Sequence, residues 1–100
     1  MKMVVPVRVR LVGSNGPSQT AHTLDATESG VKLGGFRGEV NVEDIIEIQY
    51  HHRRALFRVV WIQTPNPSEK HLGAACVEID KNIWDEEFPQ RADEYEEQEL

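Results

Sequence analysis

Asp25, Thr27 and Gly30 are spaced Asp-x-Thr-x-x-Gly within the run Asp25-Ala26-Thr27-Glu28-Ser29-Gly30. A carboxylate and a hydroxyl two residues apart can each bond nearby backbone N–H groups and so shape a turn. A glycine three residues further on tolerates a positive φ or the close approach of another group. Together they offer a carboxylate, a hydroxyl and backbone donors at one place, where a polar ligand can be held. Runs of this kind more often simply connect two strands, so the surrounding order of segments has to decide.

Other residues with chemical potential are weighed the same way. His51-His52-Arg53-Arg54, with Arg58 beyond, could contact phosphate or an acidic partner. Its ordinary meaning is a solvated hairpin tip. Arg8 and Arg10 share one face of an extended segment. Phe57 and Trp61 fall on one side of a strand and could stack nucleic-acid bases, as small barrels binding single strands do. Core packing explains them as well. Neighbouring histidines on an extended chain point to opposite faces, and His22 and His71 are remote, so no metal-ligand spacing emerges. Ser29 lacks a Gly-x-Ser-x-Gly setting and Gly34-Gly35 is no phosphate loop. No catalytic set is present, and the chain is not expected to be an enzyme. Cys76, the lone cysteine, lies in an apolar run and reads as an inert buried thiol.

The elements that would position these residues are strands. Residues 3–12 alternate apolar with other positions at period two, and Pro6 marks an edge strand or a strand start. Gly13 to Ser18 is a dense turn cluster. Thr20 to Leu24 is a second strand, and Val31 with Leu33 forms a third, ended by Gly34-Gly35. Residues 36–44 form a loop in which Val42-Glu43-Asp44 makes one helical turn. Ile45 to Tyr50 is a β-branched strand. Ala55 to Gln63 is the strongest strand, with Phe57, Val59 and Trp61 on one side. Thr64 to Ser68, with two prolines, interrupts the chain. Leu72 to Ile79 is the sixth strand. Ile83 and Trp84, with Phe88, form an apolar cluster that should pack across the end of the assembly. Six short strands without a helical period predict an all-β fold, a small antiparallel barrel or sandwich.

The chain has 100 residues and a formal net charge of −6, which fits one globular domain. The charge is uneven. Residues 1–77 hold nine Lys/Arg against seven Asp/Glu, a balance of +2, and residues 78–100 hold two against ten, a balance of −8. The domain is therefore assigned to residues 1–88 and an acidic tail, a frayed helix or disordered, to 89–100. The acidic end disfavours nonspecific nucleic-acid binding. Either it solubilises the chain, or its carboxylates fold back on Arg8, Arg10 or Arg53-Arg54. No secretory leader or ~20-residue apolar span is evident, so the expected setting is cytoplasmic, without membrane insertion.

Taken together, the order of segments resembles the PilZ domain family over roughly residues 4–88. The residues that carry the likeness are Val5-Pro6-Val7-Arg8-Val9, the Asp25–Gly30 turn with Val31-Lys32-Leu33 after it, and Val42-Glu43-Asp44 leading into Ile45–Tyr50. Leu56-Phe57-Arg58-Val59-Val60-Trp61-Ile62 and His71-Leu72-Gly73-Ala74-Ala75-Cys76-Val77-Glu78 complete it. The resemblance implies a six-stranded antiparallel β-barrel and a bacterial signalling role with cyclic di-GMP as ligand. It implies that Asp25, Thr27 and Gly30 line one side of the ligand pocket, Thr27 standing where the family usually has serine. The family's second motif, Arg-x-x-x-Arg before the first strand, is absent. Alignment on Val5-Pro6-Val7 puts its second arginine at Val4, and the first would fall before Met1. The implied function is a regulatory or adaptor module acting through a protein partner, with weak or absent cyclic di-GMP binding and no other cofactor. An alternative is a cyclic di-GMP receptor in which Arg8 or Arg10 supplies substitute phosphate contacts. A third is a small barrel binding single-stranded nucleic acid.

Overall fold

A computed structural model describes residues 4–27, 29–78 and 83–84. Six strands run in order: β1 (Pro6–Leu11), β2 (Gln19–Ala26), β3 (Gly30–Phe36), β4 (Ile45–Tyr50), β5 (Arg53–Asn66) and β6 (Glu69–Cys76). Every neighbouring pair is antiparallel, and the ring closes as β1-β2-β3-β6-β5-β4. The chain thus forms an all-β, six-stranded antiparallel barrel; of the barrel and the sandwich that its strand order allows, closure of the ring selects the barrel. Among the described residues no helix is long and apolar enough to cross a membrane. Phe88 and the segment 89–100, for which a frayed helix or disorder is expected, lie outside the described residues.

Closure changes the reading of Pro6. A closed ring leaves no edge, so β1 simply starts there. Pairing with β4 begins at Arg8↔Gln49, beyond Pro6, so no partner on that side needs the missing N–H.

Inside the barrel, alternation places Val7 and Val9, Ala21 and Thr23, Val31 and Leu33, Ile46 and Ile48, and Phe57 and Val59 in the core. The alternation then breaks three times in the same way. Inward positions step by three from Thr23 to Ala26, from Leu33 to Phe36 and from Val59 to Ile62. Each step coincides with a register shift in the ladder. These are β-bulges, in which one extra residue bends the strand and reverses the facing of the residues after it.

The bulges account for most departures from the sequence expectation. β2 continues past Leu24 through Asp25 to Ala26, so Asp25 belongs to a strand and not to the turn. β3 passes through Gly34-Gly35, where Gly35 takes φ +78°, and ends at Phe36. Trp61 does not share the inward face of Phe57 and Val59; the bulge turns it outward, 36% exposed. β5 also runs through Pro65, which sits inside a second register shift between Gln63 and Asn66 where the ladder is already interrupted. The Asn66 side chain then accepts from the Ser68 and Glu69 N–H groups at 3.0 and 3.1 Å and closes the hairpin. β6 starts at Glu69 and ends at Cys76, short of Ile79. Arg53 and Arg54 lie within β5, leaving His51 and His52 as the hairpin tip. Val42-Glu43-Asp44 is part of a hydrogen-bonded β-turn and not a helical turn: the Asp44 N–H donates to the Asn41 carbonyl at 3.0 Å and Glu43 takes φ +84°. Cys76 is half-buried, its Sγ 3.5 Å from the Glu78 carbonyl oxygen.

Ile83 and Trp84 join the core, as their apolar cluster predicts. Both are buried, and the Trp84 ring lies 5.3 Å from that of Tyr50 at the end of β4. Thr23 is the one buried polar core residue among those described. Its Oγ1 accepts from the Val5 N–H at 2.9 Å while its own N–H donates to the Val5 carbonyl at 2.9 Å. Thr23→Val keeps the shape and leaves a partly buried N–H without its acceptor, a cost of ~1–3 kcal/mol. Urea unfolding should show that loss, and Thr23→Ser, which keeps the hydroxyl, should retain the bond. Equal stability of Thr23→Val and wild type would contradict the assignment.

Candidate functional site

Thr27 and Gly30 close the connection between β2 and β3. The Thr27 N–H donates to the Gly30 carbonyl at 2.8 Å, and the Gly30 N–H donates to Thr27 Oγ1 at 3.1 Å. The Thr27 hydroxyl is thus first a turn-former, as its residue type predicts. The Ser29 carbonyl accepts from the Cys76 N–H at 2.8 Å, tying the turn to β6. A Cβ on Gly30 would stand 3.3 Å from the Ala74 carbonyl oxygen, tighter than an ordinary contact. Of the two uses of glycine anticipated from the sequence, close approach is the one the turn needs.

The bulges in β2 and β5 then set a row of four residues across the outer face. Asp25 pairs with Lys32, Lys32 with Gly73, and Gly73 with Trp61. The Trp61 indole lies against Gly73, whose missing side chain makes the room; a Cβ there would collide with the ring. Lys32 Nζ stands 5.9 Å from the Trp61 ring centroid, within cation–π range. Asp25, Thr27, Gly30, Lys32, Trp61 and Gly73 all line one cleft of about 220 Å³. That is below the ~300–1,000 Å³ typical of pockets for drug-sized ligands, and suits one end of a nucleotide better than a whole dinucleotide. Chemically it combines an aromatic face for stacking, an ammonium for an anion, and a carboxylate for donors on a base or ribose.

Arg8 and Arg10 are not part of this cleft. Arg8 pairs with Thr20 on one side and Gln49 on the other. Thr20 precedes Asp25 by five residues along β2, ~16 Å at the rise of a strand. Arg10 bonds Glu47 at 3.4 Å. Both arginines line a separate hollow of about 200 Å³ with Ser18, Glu47, Gln49 and Arg54. Among the described residues no guanidinium lines the Asp25 cleft.

Phe57 is buried and cannot share a stacking surface with Trp61. The histidines are dispersed: His22 rests against Gly34-Gly35, His51 stacks on Tyr50 at 4.1 Å, and His71 lies 3.7 Å from Glu69. Among the described residues no three His, Cys, Asp or Glu side chains gather to hold a metal ion.

Asp25, Thr27 and Gly30 were readable as a group. The sequence places Lys32 simply within a strand, and its period-two pattern puts Trp61 in the core. Gly73 carried the missing signal, because a glycine inside a strand often marks a place where another group approaches closely. No family model matches the chain, and no curated protein matches it.

Proposed function

We propose that this protein is a PilZ-like regulatory module of bacterial signalling that acts through contacts with a partner protein and binds cyclic di-GMP weakly or not at all. The observation that carries the reading is the composition of the Asp25 cleft. It has the turn that the family uses but, among the described residues, no guanidinium. Arginine binds phosphate through two parallel hydrogen bonds and stacks on purine faces, which a lysine ammonium does not reproduce. Hydrogen bonds to charged groups contribute ~1.5–3 kcal/mol each. The loss of two such anchors would cost ~3–6 kcal/mol, or roughly 10²–10⁴ in affinity. Arg8 and Arg10, in their own hollow ~16 Å along the strands, are poorly placed as replacements.

A second reading is a genuine cyclic di-GMP receptor. Lys32 and the exposed Trp61 favour it, since together they offer charge and a stacking surface beside Asp25 and Thr27. Titration calorimetry with cyclic di-GMP at low and moderate salt separates the two. The module reading expects no saturable heat at micromolar concentrations. Micromolar or tighter binding, lost in Asp25→Ala, would replace it with the receptor reading.

A further inference from the structure

The outer face opposite the bulged row is basic in a way that the Asp25 cleft does not use. Arg8, Gln49 and Arg54 form one cross-strand row over β1, β4 and β5, and Arg10 and Glu47 form the next. Among the described residues Glu47 is matched to Arg10, and neither the Arg8 nor the Arg54 side chain has a hydrogen-bond or ion-pair partner. Ser18 and Gln49 add neutral hydrogen-bonding groups to the same hollow. Two unmatched guanidiniums beside a hydroxyl and an amide make a surface for carboxylates presented along a peptide.

The position of Trp84 says which peptide reaches it first. Trp84 is anchored on Tyr50, and Tyr50 directly follows Gln49 in β4. Residues 85–100 continue from that anchor and carry eight Asp/Glu and one Arg, a balance of −7. Sixteen residues can span up to ~50 Å, so length sets no limit. Tethering also gives the segment a local concentration on the order of millimolar, which a free acidic partner does not reach.

We propose that the Arg8–Gln49–Arg54 face is a docking surface for an acidic peptide, and that its occupant is the chain's own segment 85–100. Salt controls the contact, because exposed charges lose most of their attraction beyond a Debye length of ~10 Å at 0.1 M and ~3 Å at 1 M. Anions and acidic partners then compete with the segment for this face.

The test uses the full chain carrying a nitroxide at Leu100→Cys in a Cys76→Ser background, with amide NMR intensities as the readout and the unlabelled spectrum confirming the fold. At ~20 mM salt the amides of Arg8, Gln49 and Arg54 should lose about half their intensity or more, and recover at ~0.5 M. The Asn66–Ser68 hairpin should be unaffected in both. Arg8→Glu with Arg54→Glu should abolish the broadening at low salt. Broadening that persists in the double variant, or none in the parent, overturns the proposal. Broadening seen only when labelled chain is mixed with separate ¹⁵N-labelled chain also overturns it, by assigning the face to a second copy.

Discussion

Trp84→Ala should lower the unfolding free energy by ~3–5 kcal/mol, the range for removing a large aromatic side chain from a core. Trp84 is 1% exposed and packs on Tyr50, so the indole leaves a cavity that barrel strands cannot collapse to fill. Domains of this size have ~5–15 kcal/mol in all, so the variant should unfold at a much lower urea midpoint with a similar slope. Trp61→Ala is the contrast. Trp61 is 36% exposed and rests on the surface over Gly73, so its removal should cost less than about 1.5 kcal/mol. Equal losses for the two tryptophans would mean that Trp84 is not a core anchor.

On the proposed reading of the chain as a weak or null binder of cyclic di-GMP, Val4→Arg is expected to raise its affinity for that ligand. Val4 is 69% exposed and precedes Val5, which bonds Thr23, two residues before Asp25 on β2. A guanidinium there stands at the same end of the barrel as the Asp25 cleft, unlike those of Arg8 and Arg10. One charged hydrogen-bonding anchor contributes ~1.5–3 kcal/mol, which predicts a ~10–10²-fold gain in cyclic di-GMP affinity. Val4→Lys should gain less, because an ammonium cannot make the paired contact. The gain should vanish when Asp25→Ala is added. Calorimetric traces for Val4→Arg as flat as wild type at high ligand concentration would show that the cleft cannot take this ligand, whatever stands at Val4.

The two predictions differ in how much of their basis the sequence carried. Ile83 and Trp84 were legible as a core cluster because two large apolar residues beside charged neighbours have few other uses. The six strands were legible because alternation of apolar residues is a local property. Errors gathered where one extra residue enters a strand. Period two extrapolated past Val59 puts Trp61 in the core, and past Leu24 it leaves Asp25 in a loop. A bulge is chosen by how two strands fit around a closed ring, and only Gly35 and Gly73 hinted at it locally. The arginines show the same limit. Arg8 and Arg10 stand beside Asp25 as candidates for one site, yet antiparallel pairing with Thr20 carries them toward the other end of β2.

Side-chain periodicity, turn chemistry and charge balance, each set within a few residues, determined that this chain is all-β, with a Thr-Gly turn after its second strand and an acidic final segment. Which side chains share a surface was decided only by closure of the sheet. Closing six strands imposes register, and register with its bulges brought Asp25, Lys32, Gly73 and Trp61 into one row. The same register set Arg8 beside Gln49 and Arg54 on the far side. Those distances depend on pairings between residues tens of positions apart, and local chemistry does not encode them one segment at a time.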